Sequence, residues 1–332
     1  MNAREAAWWP LSIPYGAAAR LRARAYESGL LKQRRLDQKV ISVGNLTVGG
    51  TGKTPMVVWI AERLAAEGKR TAILTRGYRS AANAESDEVQ LMKARLGASV
   101  GFGVGANRFA QGRQLASAGT EWFVLDDGFQ HMQLARDVDL VLIDALNPFG
   151  GGRLLPAGRM REPKTALRRA DLIVVTRSAH APAVEAAVRR DSDAPIFYAQ
   201  TELDSVRHAA GERCDHEMAG ARDRKWFAFC GIGNPAGFLS DLGAWGFRVV
   251  GQRTFPDHHR YTQAEADELA AAARDAGADG LLCTEKDRFN LGAVRGLAIE
   301  AAYCRISLKV ARTDEFWAQL MAAAGRRSSQ KR

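Results

Sequence analysis

From Lys39 onward, short apolar runs alternate with stretches of helical period. KVISVGN (39–45) predicts a buried strand, and TPMVVWIAERLAAEGKR predicts a helix with Pro55 in its first turn and Gly68 near its end. TAILTRGY predicts a second strand, and VGFGVGANRFAQGRQLASAG a short strand running into a helix. EWFVLDDGF, DVDLVLIDA and ADLIVVTRS predict three more strands, whereas the glycine- and proline-rich stretch 147–164 (NPFGGGRLLPAGRMREPK) predicts a loop. A second series starts near Trp226: strand WFAFCGIG, helix PAGFLSDLGAWG, strand FRVVGQRTF, helix TQAEADELAAAARDAGA and strand GLLCTEKD. Continuous apolar strands separated by helices predict a mostly parallel sheet covered on both faces. The expected division is a leader helix over 1–38, an α/β domain over 39–200, a smaller α/β lobe over 201–322 joined near 195–225, and a polar, disordered tail over 323–332.

The leader breaks this rhythm. Trp8, Trp9, Leu11, Ile13 and Tyr15 come first, then Leu21, Tyr26, Leu30 and Leu31 among Arg20, Arg22, Arg24, Lys32, Arg34 and Arg35. Apolar and aromatic anchors mixed with cations suit an amphipathic helix lying in a membrane interface; a helix packed on the protein with solvated arginines is the other reading. The longest uncharged early run, Ala6 to Ala19, is short for a membrane span and holds Pro10 and Pro14.

Charge sharpens this picture. The 332 residues contain 47 Lys and Arg against 37 Asp and Glu, a net +10. The first 39 residues alone hold eight basic and three acidic groups, half of that excess. A basic chain can meet nucleic acid, an anionic membrane or a polyanionic substrate. Nucleic acid would call for cations interleaved with aromatics across the core, and outside the leader the charge is mixed. The four cysteines, Cys214, Cys230, Cys283 and Cys304, form no C-x-x-C pair and read as buried thiols in a reducing compartment.

The chemistry begins at GNLTVGGTGKTP, Gly44 to Pro55. A strand, a glycine-rich turn and a helix are the context of a phosphate-binding loop, with Thr47 where the common pattern G-x-x-x-x-G-K-[ST] has its first glycine. Backbone N–H groups from Thr47, Val48, Gly49, Gly50, Thr51 and Gly52 would cradle phosphate oxygens, Lys53 would reach the terminal phosphates, and Thr54 would offer a hydroxyl to Mg²⁺. Asp126 and Asp127 end a hydrophobic strand, where such proteins keep the carboxylate that holds Mg²⁺ or its waters. Nucleotide-driven switches and metallochaperone ATPases share this kind of loop, but they usually carry clustered Cys or His, and the cysteines here are scattered.

Further along, TRGY (75–78), SDE (86–88), DDGFQH (126–131), LLPAGRMREP (154–163), GIGNP (231–235) and FPDHHRY (255–261) follow the loop in order. Together with PLS-x-x-Y and YESGLLK in the leader, this series resembles the tetraacyldisaccharide 4'-kinases, the lipid A 4'-kinases, over roughly residues 9–320. The family's loop looks like GN-x-x-x-GG-x-GKTP, which accounts for Thr47. The chain departs from the family at Ser86, where glycine is usual, and at Arg159-Met160, where a more apolar pair is expected.

The resemblance implies a P-loop kinase-like fold and ATP- and Mg²⁺-dependent phosphorylation of the 4'-hydroxyl of tetraacyldisaccharide 1-phosphate, giving lipid IVA. The enzyme would be a monomer, peripheral at the cytoplasmic face of the bacterial inner membrane and bound to its anionic surface, with no nucleic-acid partner. Residue by residue, the resemblance implies Asp87 as general base with His258 as its partner. Lys53, Arg76 and Arg161 would offset charge on the transferring group, and Thr54, Asp126, Asp127, Gln130 and Glu162 would surround Mg²⁺.

Overall fold

The computed structural model describes residues 3–77, 85–209, 214–292 and 294–329. Its elements run α1 (Ala3–Glu27), β1 (Lys39–Asn45), α2 (Lys53–Ala66), β2 (Thr71–Thr75), α3 (Asp87–Leu96), β3 (Val100–Val104), α4 (Arg108–Ser117), β4 (Trp122–Asp126), β5 (Val138–Asp144) and β6 (Leu172–Thr176). There follow α5 (Pro182–Arg189), β7 (Ile196–His208), β8 (Lys225–Cys230), α6 (Pro235–Ala244), β9 (Arg248–Thr254), α7 (Gln263–Asp275), β10 (Gly280–Thr284), α8 (Glu285–Asn290), β11 (Ala301–Val310) and α9 (Thr313–Ser329). Every strand expected from an apolar run is present. Tyr78, from the TRGY segment, lies outside the described residues.

The chain forms two compact units. The first is Met1–Tyr78, Arg95–Gln200 and Leu308–Arg332. Its strands lie in the order β3-β2-β4-β1-β5-β6-β7, each neighbouring pair parallel. Such a sheet must be covered on both faces, so its strands are apolar throughout: Ile41, Val43, Ile73, Leu74, Phe123, Val124, Leu140 and Val141 are all fully buried. β1 lies between β4 and β5, and the connection through α2 leads to β2 on the far side of β4. The order therefore reverses at the end of β1, the place where open α/β sheets bind ligands. Val43 pairs with Asp126, which sets the acidic end of β4 beside the start of the glycine-rich loop.

The second unit is Arg79–Ala94 and Thr201–Ser307. Its parallel strands run β11-β10-β8-β9 around a core of its own that includes Trp226, Phe229, Leu281, Leu282 and Tyr303. Helix α7 opens with a complete capping box, Thr262 with Glu265, which satisfies two helix-end donors reciprocally. The four cysteines are free; Cys230, Cys283 and Cys304 are buried as expected and serve packing, burial pushing the Cys230 thiol up to about 12, whereas Cys214 is only half-buried.

Three expectations need correction. The stretch expected to join the domains opens with strand β7, whose run TELDSV is too polar to announce itself. The units are also not contiguous in sequence, since a segment containing Asp87 belongs to the second and the C-terminal helix to the first. The tail expected to be disordered from 323 is helix α9 as far as Ser329. Phe316, Trp317, Leu320, Ala323 and Ala324 recur at helical spacing and are buried, and Lys39 Nζ donates to Ala324 O at 2.8 Å.

Gly44 sits where backbone meets backbone. A Cβ there would lie 2.5 Å from Phe129 Cβ and 2.7 Å from Phe129 N, so something would have to move. Gly44→Ala should therefore cost about 1–3 kcal/mol of stability. At Gly50, where nothing lies within 4 Å, Ala should stay within about 0.5 kcal/mol of the native chain. Urea unfolding of the two variants checks this contrast, and equal midpoints would contradict it.

Candidate active site

The glycine-rich loop is built from short-range contacts around Asn45. Asn45 Nδ2 donates to Thr51 Oγ1 at 2.9 Å, and Asn45 Oδ1 accepts from Lys53 Nζ at 3.2 Å. Gly52, with φ 82, caps α2 in the left-handed region that only glycine enters at little cost. Gly49 is likewise left-handed at φ 119. The other end of the loop explains Thr47. It is extended rather than turned, forming an antiparallel bridge to Met160, with Val48 N donating to Arg159 O at 2.8 Å and Arg161 N to Leu46 O at 2.7 Å. A residue in that conformation has no need to be glycine. Met160, at a position expected to be apolar, is 2% exposed, while Arg159 Nε reaches back to Val48 O at 3.1 Å.

That bridge carries the 147–164 loop, and with it Arg161 and Glu162, to the phosphate loop. Arg161 donates to Asp127 Oδ2 at 2.6 Å and to Gln130 Oε1 at 3.4 Å, and Lys53 Nζ lies 3.5 Å from Asp127 Oδ1. Burial works to raise the Asp127 carboxyl, but Lys53 and Arg161 outweigh it and hold the carboxyl below its ordinary range. Gln130 Nε2 donates to Asn45 O at 2.9 Å and to Glu162 Oε1 at 3.1 Å. Both Glu162 oxygens accept from Arg169, at 2.8 and 3.0 Å, and the Arg169 guanidinium lies over the Phe129 ring. Asp126 Oδ2 accepts from Thr75 Oγ1 at 2.9 Å. Arg76 is exposed and acts on this group through its charge, while Thr54 is half-buried in the first turn of α2.

Two members of this cluster escape sequence reasoning. Arg108, 6% exposed, donates to Asp126 O at 3.4 Å and reaches His131 Nδ1 at 3.0 Å. A cation in the first turn of a helix opposes the helix dipole, so something else must hold it there, and that is the available signal in GANRF. His131, quoted only as the end of DDGFQH, is pushed down to about 4 by burial and then by Arg108, Arg136, Arg22 and Arg76, so its imidazole is neutral.

A divalent cation fits this donor set. Asp127 Oδ1 is buried without a hydrogen-bond partner among the described residues, a costly arrangement unless a ligand completes it. No group of three or more His, Cys, Asp or Glu able to hold a metal occurs among the described residues. A P-loop site needs none, because a hydroxyl, one carboxylate and the nucleotide's own oxygens suffice for Mg²⁺.

In the second unit, Asp87 and His258, separated by 171 positions in sequence, are in contact. Asp87 starts α3 and Glu88 N donates to its Oδ1 at 2.8 Å. His258 Nδ1 lies 2.9 and 3.0 Å from the two Asp87 oxygens, and Asn290 Nδ2 donates to Oδ2 at 3.2 Å. Lys286 Nζ sits among Glu88 (3.2 Å), Asp87 (3.9 Å) and Asp257 (4.0 Å). Burial alone would raise the Asp87 carboxyl; the His258 hydrogen bond and the Lys286 charge overcome this and bring it down to about 2. His258 moves the other way, raised by its bond to Asp87 against the effects of burial and Lys286. An ionised carboxylate can only accept, so Nδ1 carries a proton and Nε2, 3.8 Å from Asp257 Oδ2, is the basic nitrogen. The Asp87 side chain is 3% exposed and that of His258 37%, which sets the carboxylate behind the ring. His258 also holds a left-handed backbone at φ 61, with its N donating to Gly231 O at 3.1 Å. The buried Asp287 accepts from Gly231 N and from Tyr261 Oη, both at 2.7 Å.

The family model described as tetraacyldisaccharide-1-P 4'-kinase matches residues 4–325. A tetraacyldisaccharide 4'-kinase of Geobacter metallireducens is 42% identical over 306 residues, 86% of this chain and 88% of the relative. One from Anaeromyxobacter sp. (strain Fw109-5) is 37% identical over 98% of this chain and 97% of its own. An LpxK from Aquifex aeolicus, solved in complex with ATP, superposes with a TM-score of 0.73 at 28% identity, covering 96% of this chain and 99% of that one.

The charges around His258 make opposite demands on its titration. Asp87→Asn should lower the His258 pKa from its raised native position, and Lys286→Met should raise it further, because the lysine opposes protonation. Histidine titration followed by NMR in the native chain and both variants tests this. Shifts of the same sign, or none, would mean that the imidazole does not feel these two groups.

Proposed function

We propose, since this chain belongs to the tetraacyldisaccharide-1-P 4'-kinase family, that it transfers the γ-phosphoryl group of ATP to the 4'-hydroxyl of tetraacyldisaccharide 1-phosphate in lipid A biosynthesis. Phosphoryl transfer demands in-line positioning, neutralisation of charge on the transferring group and a path for the hydroxyl proton. The loop from Thr47 to Thr54 would hold the phosphates through backbone N–H groups, and Lys53 would turn from Asn45 and Asp127 to the β- and γ-oxygens. When bound, Mg²⁺ would supply charge neutralisation for the transferring group. Thr54 and Asp127 would hold it, with Asp126 beside them, while Glu162 acts through Gln130 because Arg169 engages both its oxygens. Arg76 and Arg161 would balance the remaining charge.

The chemical part rests on the contact between His258 Nδ1 and Asp87. Its geometry favours His258, not Asp87, as the group that takes the proton. A carboxyl brought down to about 2 is a weak base at neutral pH, whereas a raised imidazole is a strong one whose tautomer Asp87 fixes. Asp87 is then the positioning member of the pair, and its negative charge stabilises the imidazolium as the hydroxyl proton arrives. This exchanges the roles that the resemblance alone implies.

A lipid substrate requires a hold on the bilayer, and α1 has the right exterior. Ser12, Gly16, Ala19 and Ala23, spaced along one side of the helix, form its inward stripe, and Ser12 Oγ donates to Leu154 O at 3.0 Å. Trp8, Trp9, Leu11, Ile13 and Leu21 are instead all more than half exposed. Stranded aromatic and aliphatic groups among arginines suit the interface of an anionic bilayer, and we assign α1 that role at the cytoplasmic face of the inner membrane. No helix of the described residues is long and apolar enough to cross a membrane.

Steady-state kinetics on Asp87→Ala, His258→Ala and the double variant test the dyad. Each single change should lower kcat by about 10²–10⁴, and the double should be little worse than the worse single, as for groups acting together. The acidic limb of the kcat profile, which marks deprotonation of His258, should move to lower pH in Asp87→Asn. Multiplicative losses with an unmoved limb would remove the pair from the proton transfer.

For the membrane, the combined variant Trp8→Ser, Trp9→Ser, Ile13→Ser and Leu21→Ser spares the inward stripe of α1. It should keep the native circular dichroism and bind anionic vesicles at least about tenfold more weakly, since partitioning sums buried apolar area. Undiminished co-sedimentation would place the membrane contact elsewhere on the chain.

A further inference from the structure

Asp287 is fully buried in the second unit, and a carboxyl group taken out of water needs donors to be kept there. It has them from separate segments of chain. Thr284 Oγ1, in the cap of its own helix α8, donates to Oδ2 at 2.5 Å, while Gly231 N and Tyr261 Oη both donate to Oδ1 at 2.7 Å. Apolar groups of the same shape would fill this space at little cost, so the donors indicate what the acid is for.

Gly231 and Tyr261 both hold the turn that carries His258. Gly231 O accepts from His258 N at 3.1 Å, and a Cβ at Gly231 would lie 3.0 Å from both His259 Cβ and Pro256 O, so this peptide packs directly on the turn. Tyr261 closes the turn. Its N donates to Asn290 O at 3.2 Å, and its ring meets Phe255 and His259 edge-on at 5.1 and 5.0 Å. Between these two fixed points His258 keeps its left-handed φ of 61, which only its surroundings can enforce. The carboxylate of the pair is tied to the same helix, since Asn290, at the end of α8, donates to Asp87 Oδ2 at 3.2 Å. Helix α8 therefore grips the imidazole-bearing turn with one side chain and Asp87 with another. The 2.9 Å between His258 Nδ1 and Asp87 Oδ1 is the span between those two grips.

We propose that Asp287 is a positioning residue for proton transfer: through Gly231 and Tyr261 it holds the 255–261 turn where His258 Nδ1 meets Asp87. It acts through a backbone peptide and a phenol, not on the reacting atoms. A misplacement of about 1 Å in such a pair can cost roughly a hundredfold in rate.

The inference rests on the kinase reading with His258 as the base, so one measurement of its test needs no turnover and the other does. Asp287→Ala removes the acceptor of Gly231 and Tyr261. Asp287→Asn keeps an oxygen for both and turns its amide towards Thr284 Oγ1, whose second lone pair can accept it. The charged groups facing the imidazole, Asp87, Lys286 and Asp257, are the same in both variants. In Asp287→Ala the His258 titration, followed by NMR without substrate, should move to lower pH as the contact with Asp87 loosens. Its kcat should fall at least about tenfold with KM for ATP within about twofold, because the phosphate loop belongs to the other unit. Asp287→Asn should restore the titration and most of kcat. Should Asp287→Ala fail to fold, as judged by near-UV circular dichroism, Tyr261→Phe decides: it loses the phenol bond but keeps the ring. It should shift His258 in the same direction with about a fivefold loss of kcat, the scale of one hydrogen bond. Equal effects of Asn and Ala would make the charge of Asp287 the cause, not its grip on the turn, and would overturn the assignment. So would an unmoved His258 titration in Asp287→Ala or, where that variant does not fold, in Tyr261→Phe. A lowered His258 titration with unchanged kcat would keep Asp287 as the residue that sets the pair and lose the pair's part in the transfer.

Discussion

The backbone pairing of Leu46–Val48 with Arg159–Arg161 is the constraint on which the rest of the first unit's site depends. Its bonds, Val48 N to Arg159 O and Arg161 N to Leu46 O, weld one flank of the phosphate loop to the glycine-rich loop. Each is worth only about 1 kcal/mol net, but leaving such groups buried and unmade costs more than that. Through this pairing Arg161 reaches Asp127, Glu162 reaches Gln130, and Gln130 reaches the carbonyl of Asn45. The leader docks on the same loop, Tyr15 Oη donating to Arg161 O at 3.0 Å and Ser12 Oγ accepting from Ala157 N at 3.1 Å. A helix with an exposed apolar side and the phosphate loop are thereby braced on one scaffold.

Electrostatics divides the labour inside each unit. In the first, cations outnumber carboxylates around Asp126 and Asp127, which holds the Asp127 carboxyl below its ordinary range and leaves net positive charge for phosphate. The second works by opposition. Asp87 gathers donors from His258, Asn290 and the Glu88 backbone, which fixes the imidazole and makes it more basic, while Lys286 limits the rise. The strained backbone of His258 is held by Gly231, whose own N–H is held by the buried Asp287. Strain of that kind persists only where the surroundings over-determine it.

Much of this was legible in the sequence, for unequal reasons. The phosphate loop and the Asp126-Asp127 pair can be read because their chemistry is local: a strand end, a turn and a helix start within a dozen residues. The first-unit strands can be read because both faces are buried and the runs are apolar throughout. β7 was hidden because its Glu202 and Asp204 break the apolar run. Helix α9 was hidden because its last turns, GRRSS, are polar, although Ala323 and Ala324 before them are buried. The Asp87–His258 contact lies beyond any spacing rule and came only from family resemblance. Lys286 and Asn290, both in α8, have no local mark at all, since what gives them meaning is a carboxylate some 200 positions away.

The leader shows why its two readings, packed helix and membrane helix, are not alternatives. A helix buried on one side by large side chains would have little apolar surface left for lipid. Here the inward stripe is Ser12, Gly16, Ala19 and Ala23, and at Gly16 a Cβ would lie 2.5 Å from Leu154 Cδ1, so the backbone itself forms the contact. Small residues inside release the large ones, and Trp8, Trp9, Leu11, Ile13 and Leu21 stay exposed at a price that water alone would not repay. Arg22 of the same helix donates to Gln130 O at 3.1 Å, a residue whose side chain stands in the acidic cluster. One helix can thus face lipid with its bulk, protein with its backbone and the reacting groups through a single arginine. On the proposed reading, a kinase for an amphiphile needs those three contacts on one element, because the hydroxyl it must reach belongs to a lipid anchored in a bilayer.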